Sequence, residues 1–511
     1  MSIHVPIPAN PVIYEINTWT WLHALAERLG RPVTLADVPG QIWDTLAPGP
    51  VDAVWLMGVW QRSPAGIAIA LAHPGLVATF AETLPDYTAA DVVGSPYCVG
   101  DYVVDAHLGG PAGLAAARAA LAERGIALIL DYVPNHVAVD HRWATAHPDR
   151  FVTGSDSEIA SRPAEFVQIG EVVYAHGRDP HFAPWTDVLQ LDAFAGGTRA
   201  AARETLCDIA TQCDGVRCDM AMLVTNDIFA DTWSGRVGPP PAVDYWDDLI
   251  PAVREHHPEF LFVAECYWGT QDLLRSQGFD LCYDKAFTDT LIAHPHAIAG
   301  RIGEAAGAAG RVRFIENHDE PRAQAVFGTR HLTAAITALT QPGARLVHDG
   351  QCAGRSVRVP VQLRRGPAEA TLPDLLAGYR RVLALLADPA MHVGTCAALE
   401  IGGWSDASPG AGLVAWSWTL DTTRLLFVVN LDDHHGAGRI HTPWPELAGR
   451  AATLVDVVTG EEFARPADPD PTVFVMLAGW GAHVVRVEVT APRTGPAPRT
   501  GTADTAPTRV R

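Results

Sequence analysis

GVRCDMAML (215–223) opens as an apolar run suited to a buried strand and then turns polar, with Arg217 and Asp219 separated by one cysteine. Residues two apart on a strand point to the same side, so Arg217 and Asp219 share one space while Cys218 faces away. A guanidinium beside a carboxylate favours the ionised form, so Asp219 is expected to be held ionised, as a carboxylate nucleophile must be. Whether this is an isolated feature depends on how the other strands of the chain end.

Eight short apolar or aromatic runs recur: VIYEINTW (12–19), VDAVWLMGV (51–59), GIALILDYV (125–133), DGVRCDM (214–220), FLFVAECY (260–267), a weaker FDLCYD (279–284), VRFIENHD (312–319) and ARLVHDG (344–350). Helical patterns fall between them at 111–125, 199–212, 245–257 and 331–340. Strands apolar nearly throughout, alternating with amphipathic helices, imply a parallel sheet covered on its outer face, and eight such units close a barrel. About 80 residues separate the third run from the fourth, too many for one helix and two loops, which predicts an inserted subdomain. After a helix at 372–388 the pattern changes to alternating strands at 413–420, 424–431, 452–458 and 482–489. The expected fold is thus α/β: a TIM (β/α)8 barrel over 1–388, a subdomain at 137–190 inserted after strand 3, an antiparallel β-sandwich over 389–489 and a disordered tail over 490–511.

In such a barrel the active site lies at the C-terminal rim of the strands. Three runs end there in an acid: Asp219 on the fourth, Glu265 on the fifth and Asp319 on the seventh. A helix cap explains any one of them but not three converging on one rim. Glu265 emerges from Phe260, Leu261, Phe262, Val263 and Ala264 with no basic neighbour in its run. Apolar surroundings and nearby anions raise its pKa, as a general acid requires. Two carboxyls pushed apart in this way are the arrangement for glycoside cleavage, with retention of configuration at a separation of about 5–5.5 Å. The third run adds Asp131, Asn135 and His136, and the seventh adds His318, placed where neutral imidazoles bond sugar hydroxyls. Zinc needs three clustered ligands, and NHVAVDH (135–141) supplies two histidines.

Of 511 residues 37 are basic and 58 acidic, a net charge of −21 spread along the chain, which argues against binding nucleic acid or an anionic membrane. Eight cysteines without a CxxC pair are expected to be reduced and mostly buried. The start, MSIHVPIPAN, has no basic segment followed by an apolar one, so a soluble cytoplasmic location is expected.

DYVPNH (131–136), GVRCDMAML (215–223), FVAEC (262–266) and ENHDEP (316–321) stand in the order and spacing of the four motifs of the α-amylase superfamily, which the chain resembles over about residues 11–488. The resemblance implies a retaining α-glycoside hydrolase, or a transglycosylase of the same family, acting on an oligosaccharide or glucan. It makes Asp219 the nucleophile, Glu265 the general acid/base and Asp319 the acid that binds sugar hydroxyls and stabilises the transition state. Arg217, His136 and His318 then line the site around the cleaved sugar, Asp131 lies beneath it, and Tyr97 in GSPYCVGDY (94–102) is an aromatic platform. A non-catalytic relative would be expected to lack one of the three acids. No cofactor is implied. Asn135 matches a family calcium ligand, but where many α-amylases carry Lys-His after the nucleophile this chain has Met222 and Leu223, so calcium is not expected. The segment 348–366, with Arg355, Arg358, Arg364 and Arg365, departs from the starch-degrading enzymes and reads either as an anion site or as a solvated loop. Oligomeric state is left open.

Overall fold

Eight short runs, mostly of β-branched, aliphatic and aromatic residues and largely buried on both faces, form the strands β1 (Val12–Asn17), β2 (Ala53–Met57), β3 (Ala127–Tyr132), β4 (Gly215–Cys218), β5 (Leu261–Ala264), β6 (Leu281–Tyr283), β7 (Arg311–Arg313) and β8 (Ala344–His348). In the computed structural model, which describes residues 4–302, 310–403, 410 and 412–489, these strands pair in parallel in chain order, and β8 returns to β1. The closed barrel leaves no edge unpaired, and burial of both its faces is why most of its strands carry no alternation of polar residues.

The covering helices follow the expected periodicities, at Gly110–Ala122, Gly196–Gln212, Tyr245–Arg254 and His331–Leu339. In Tyr245–Arg254 the stripe Tyr245, Trp246, Leu249, Ile250 and Val253 is buried, Asp244 caps the first turn and Arg254 sits in the last. That one-sided stripe and those end charges fix both the buried face and the limits of the helix.

Beyond β3 a four-stranded antiparallel sheet stands over the rim, in the order His136–Ala138, Trp185–Gln190, Val172–Gly177, Phe166–Ile169. Its own small core is Val137, Phe151, Tyr174, Leu189 and Leu191. A two-stranded ribbon, Trp60–Arg62 with Val99–Val104, follows β2 and is not foreseen in the apolar pattern, because its strands are short and half-exposed. β7 is shorter than VRFIENHD implies: pairing stops at Arg313, and Asp319 lies on the loop beyond.

The C-terminal residues build two antiparallel sheets, one of six strands and one of three. Leu413, Leu426 and Val428 from the larger sheet and Ile440, Val473 and Val475 from the smaller share one apolar core, which makes the pair a sandwich. The opposite face of the larger sheet, with Trp416, Trp418, Leu425, Phe427 and Val429, joins the core of the barrel. Trp418 Nε1 donates to the Thr340 carbonyl at 2.8 Å. The expected tail, 490–511, lies outside the described residues. Among the described residues no single helix is long and apolar enough to cross a membrane.

Candidate active site

Strand register brings the acids together. Arg217 on β4 pairs with Asp131 on β3 and Val263 on β5, and the ladder continues one rung further through Asp219 N–H to the Tyr132 carbonyl (2.8 Å) and Glu265 N–H to the Cys218 carbonyl (3.0 Å). Asp219 and Glu265 therefore leave adjacent strands at the same height.

Arg217 is the centre of the cluster. Its Nη1 donates to Asp219 Oδ1 at 2.8 Å and lies 3.7 Å from Asp131 Oδ1, while Nη2 lies 2.7 Å from Glu265 Oε2. The guanidinium carbon lies 5.1 Å from the Tyr97 ring, 5.2 Å from Trp55 and 5.8 Å from Tyr283. Almost no solvent reaches Arg217, so its charge acts on three carboxylates at low effective dielectric.

This cluster changes two expectations. Burial pushes the Asp219 carboxyl above its ordinary value, and Arg217 only partly opposes it, because the charges of Asp319 and Asp131 add to the rise. The lowering of Asp219 expected from Arg217 alone is thus not what the site provides. Glu265, for its part, has a basic neighbour after all, supplied by the adjoining strand. Burial still dominates there, and with Asp219 and Asp319 adding to it against Arg217, the carboxyl is pushed up to about 7. Glu265 is consequently poised to hold or release a proton near neutral pH.

Two further groups position Glu265. The Met220 N–H donates to Oε2 at 2.8 Å, and the Tyr267 hydroxyl donates to Oε1 at 2.7 Å. Met220 reaches Oε2 from a left-handed backbone (φ 42°, ψ 47°), which costs a non-glycine residue of order 1–3 kcal/mol. The sequence reading missed Tyr267. The signal was present, since it lies two residues beyond Glu265, the same spacing that paired Arg217 with Asp219.

Asp319 is set by its loop and by His318. Asn317 Oδ1 accepts from the N–H groups of Asp319 and Glu320 at 2.9 and 3.0 Å, a local turn that aims the Asp319 carboxylate. His318 Nε2 lies 2.9 Å from Asp319 Oδ2 and 2.7 Å from the Tyr97 hydroxyl, and its Nδ1 meets Glu15 Oε1 at 2.5 Å. Burial disfavours the imidazolium, but Asp319 and Glu15 outweigh it and hold His318 up at about 10. His318 is thus a cation at neutral pH and not the neutral imidazole expected. Burial likewise works against an ionised Asp319, and His318 reverses it, leaving Asp319 well below the usual carboxylate range. With its side chain 42% exposed, Asp319 is the most open of the three acids.

Glu15, on β1, also escaped the sequence reading, although an acid inside VIYEINTW is the same signal that marked Asp219. Tyr97 stacks on His318 with ring centroids 5.3 Å apart, so it joins the Arg217 and His318 sides of the site. Asp131 accepts from the Gly58 N–H at 3.1 Å at the floor of the cluster, and burial raises its pKa against the pull of Arg217. The His136 ring lies 5.1 Å from Trp185 of the inserted sheet, and burial lowers it to about 4, so it is neutral as expected.

The oxygens of Asn135 are engaged by Gln190. Gln190 Nε2 donates to Asn135 Oδ1 at 2.9 Å, to the Asn135 carbonyl at 2.9 Å and to the Leu191 carbonyl at 3.1 Å. Asn135 Nδ2 donates back to Gln190 Oε1 at 3.2 Å. Oxygens that could face a cation are already bonded to an amide, and calcium needs six to eight oxygen ligands, several of them carboxylates. Among the described residues no group of three or more His, Cys, Asp or Glu side chains is placed to hold a metal.

The arginine-bearing segment after β8 is mostly engaged with acids. Arg365 pairs with Asp91 (2.8 Å) and Asp86 (3.2 Å), Arg364 with Asp91 (3.5 Å) and Arg355 with Asp349 (3.3 Å), which leaves little charge for an anion site. Arg358 is exposed and its charge bears on Asp319.

No protein-family model matches the chain, and no curated protein matches it by sequence. Solved structures do. An α-amylase from Lactobacillus plantarum superposes with TM-score 0.64 at 19% identity, covering 93% of this chain and 98% of that one. An α-amylase from H. orenii superposes with TM-score 0.62 at 18% identity, covering 94% and 100%. The cyclic α-maltosyl-(1→6)-maltose hydrolase from Arthrobacter globiformis, solved with that cyclic sugar, superposes with TM-score 0.58 at 18% identity, covering 94% and 100%. Over almost its whole length, barrel, inserted sheet and C-terminal sandwich included, the chain has the fold of the α-amylase family.

Proposed function

We propose that the protein is a retaining α-glycoside hydrolase acting on α-glucosides and malto-oligosaccharides, independent of calcium. The observation that carries this reading is the single buried guanidinium between Asp219 (2.8 Å) and Glu265 (2.7 Å), with Glu265 lifted to about 7. Asp219 attacks the anomeric carbon as the bond to the leaving oxygen breaks, and the proton of Glu265 passes to that oxygen. The product is a glycosyl ester on Asp219 and an ionised Glu265. Glu265 then takes a proton from water, whose oxygen attacks the same carbon and releases Asp219. Two inversions give net retention.

Each neighbour has a part in this cycle. Glu265 Oε2 accepts from the Met220 N–H and lies 2.7 Å from the Arg217 guanidinium, which places the catalytic proton on Oε1, beside Tyr267. Asp319, kept ionised by His318, binds sugar hydroxyls and faces the positive charge that develops on the ring. Tyr97 and Trp55 close the floor around Arg217. Transfer to a second sugar instead of water uses the same intermediate, and the exposed ring of Trp268, three residues beyond Glu265, offers that sugar a face.

The test is the anomer released from α-glucosyl fluoride, followed by proton NMR before mutarotation. α-Glucose as first product supports the double displacement, and β-glucose overturns it.

A further inference from the structure

Two cavities open on opposite halves of the barrel rim, and they differ several-fold in size. One, of about 670 Å3, is built by chain that follows β4, β5 and β6 and by Arg311 and Arg313 of β7, together with Phe182 of the inserted segment. It reaches Met220 and Tyr267, the two residues that donate to Glu265. The other, of about 100 Å3, is built by chain that follows β7, β8 and β1, and reaches His318 and Arg358 beside Asp319. Sites for small organic ligands span about 300–1,000 Å3, so the first accommodates several sugar units, and the second leaves no room for a further unit beyond the one held by Asp319.

The small cavity is small because the segment after β8 is fastened across the rim. Leu363 forms an antiparallel bridge with Val92, the Val93 N–H donates to the Gln362 carbonyl at 2.8 Å and the Arg364 N–H to the Asp91 carbonyl at 2.9 Å. Arg365 adds its ion pair with Asp91 at 2.8 Å. Past a sugar held by Asp319 and His318, a second sugar on that side meets this strap.

The large cavity lies on the side to which the leaving group departs, since Glu265 supplies its proton there. Two rings stand open to solvent at its edge, Trp268 at 45% and Phe182 at 73% exposure. Trp268 is presented from a left-handed backbone (φ 58°), a conformation that bulky residues rarely adopt and that concentrates at functional sites. Flat exposed rings at the edge of a large cleft are surfaces on which the apolar faces of sugars stack.

We infer that the enzyme binds a single sugar unit, the non-reducing end of an α-linked oligosaccharide, on the Asp319 side, and holds a departing chain of two or more units against Trp268 and Phe182. The inference rests on the proposed glycosidase reading and adds the mode of attack and the leaving-group class.

Two substrates test it. Maltotetraose labelled at its reducing end shows where the first cut falls. α-Glucosyl fluoride has a leaving group too small to touch either ring, so it reports on the donor side and the chemistry. The expected early products from the labelled sugar are unlabelled glucose and labelled maltotriose, and Trp268→Ala lowers kcat/KM on maltotetraose about tenfold more than on the fluoride, the equivalent of one lost stacking contact. Early appearance of unlabelled maltose or maltotriose, or equal losses on both substrates in Trp268→Ala, overturns the inference. Turnover of the fluoride without turnover of maltotetraose overturns the oligosaccharide leaving group. Failure to turn over the fluoride overturns the glycosidase reading itself.

Discussion

The hydroxyl of Tyr267 donates to Oε1 of Glu265 at 2.7 Å, the oxygen left to carry the catalytic proton. Burial is what lifts Glu265 to about 7, and the Tyr267 bond, which favours the carboxylate, pulls in the opposite direction. Tyr267→Phe is expected to raise the Glu265 pKa, moving the alkaline limb of kcat/KM on maltose from about 7 to higher pH, with a lower plateau. An unmoved limb would remove Tyr267 from the acid/base machinery.

Activity in the wild type is expected to be bell-shaped in pH. Glu265 must be protonated for the first step, so kcat/KM falls as pH rises through about 7, and Asp219 must be ionised, so it falls again on the acid side. With α-glucosyl fluoride, which needs little help from an acid, the alkaline fall is expected to weaken. An alkaline limb equally steep on both substrates would contradict the assignment of Glu265.

Glu15 holds His318 charged from beneath the site. Glu15→Gln leaves a buried cation short of a partner, and a loss of about 3–5 kcal/mol in urea unfolding is expected. The raised pKa sets the sign of the pH dependence. The stability His318 contributes is complete below its unfolded value of about 6.5 and fades as pH rises through its folded value of about 10. The gap between wild type and variant is therefore expected to be wider at pH 6 than near pH 10, and a gap independent of pH would refute the charge pairing.

Gln190 occupies the oxygens around Asn135, so chelation is expected to leave both kcat and the melting temperature of the wild type unchanged. Gln190→Ala strands the buried Asn135 amide and is expected to cost about 1–3 kcal/mol. A fall in melting temperature on adding a chelator would show that a cation contributes after all.

How far the sequence could be read varies with the kind of signal. The barrel strands were legible because burial on both faces demands unbroken apolar runs, and Asp219 and Glu265 because an acid has no other reason to end such a run. β7 was overextended, since Phe314 and Ile315 are buried like strand residues although pairing ends at Arg313. The sandwich was expected, but the smaller sheet's strand Gly436–His441 was not picked out, because it lacks apolar alternation. The pKa of Asp219 was misjudged for a different reason. One strand shows its arginine neighbour but neither the burial that outweighs it nor the charges of Asp131 and Asp319 brought in from other parts of the barrel. Gln190 lies 55 residues from Asn135, and no local spacing announces that pair.

The sandwich is joined to the barrel through Trp416, Trp418, Leu425, Phe427 and Val429. Burial of five such side chains contributes on the order of 10 kcal/mol, comparable to the whole stability of a typical domain. A chain ending at residue 388 is expected to be insoluble or inactive. A soluble, active truncation would show that the barrel stands alone.

The central claim is that Asp219 becomes covalently attached to the sugar. It is tested most directly in Glu265→Gln, where loss of the general base slows hydrolysis of the glycosyl-enzyme while α-glucosyl fluoride still forms it. Acid quench, intact-mass measurement and peptide mapping are expected to find one glucosyl unit on the peptide containing Asp219, and none in Asp219→Asn. A glucosyl unit on any other residue, or product formed at wild-type rate by Asp219→Asn, would contradict the account.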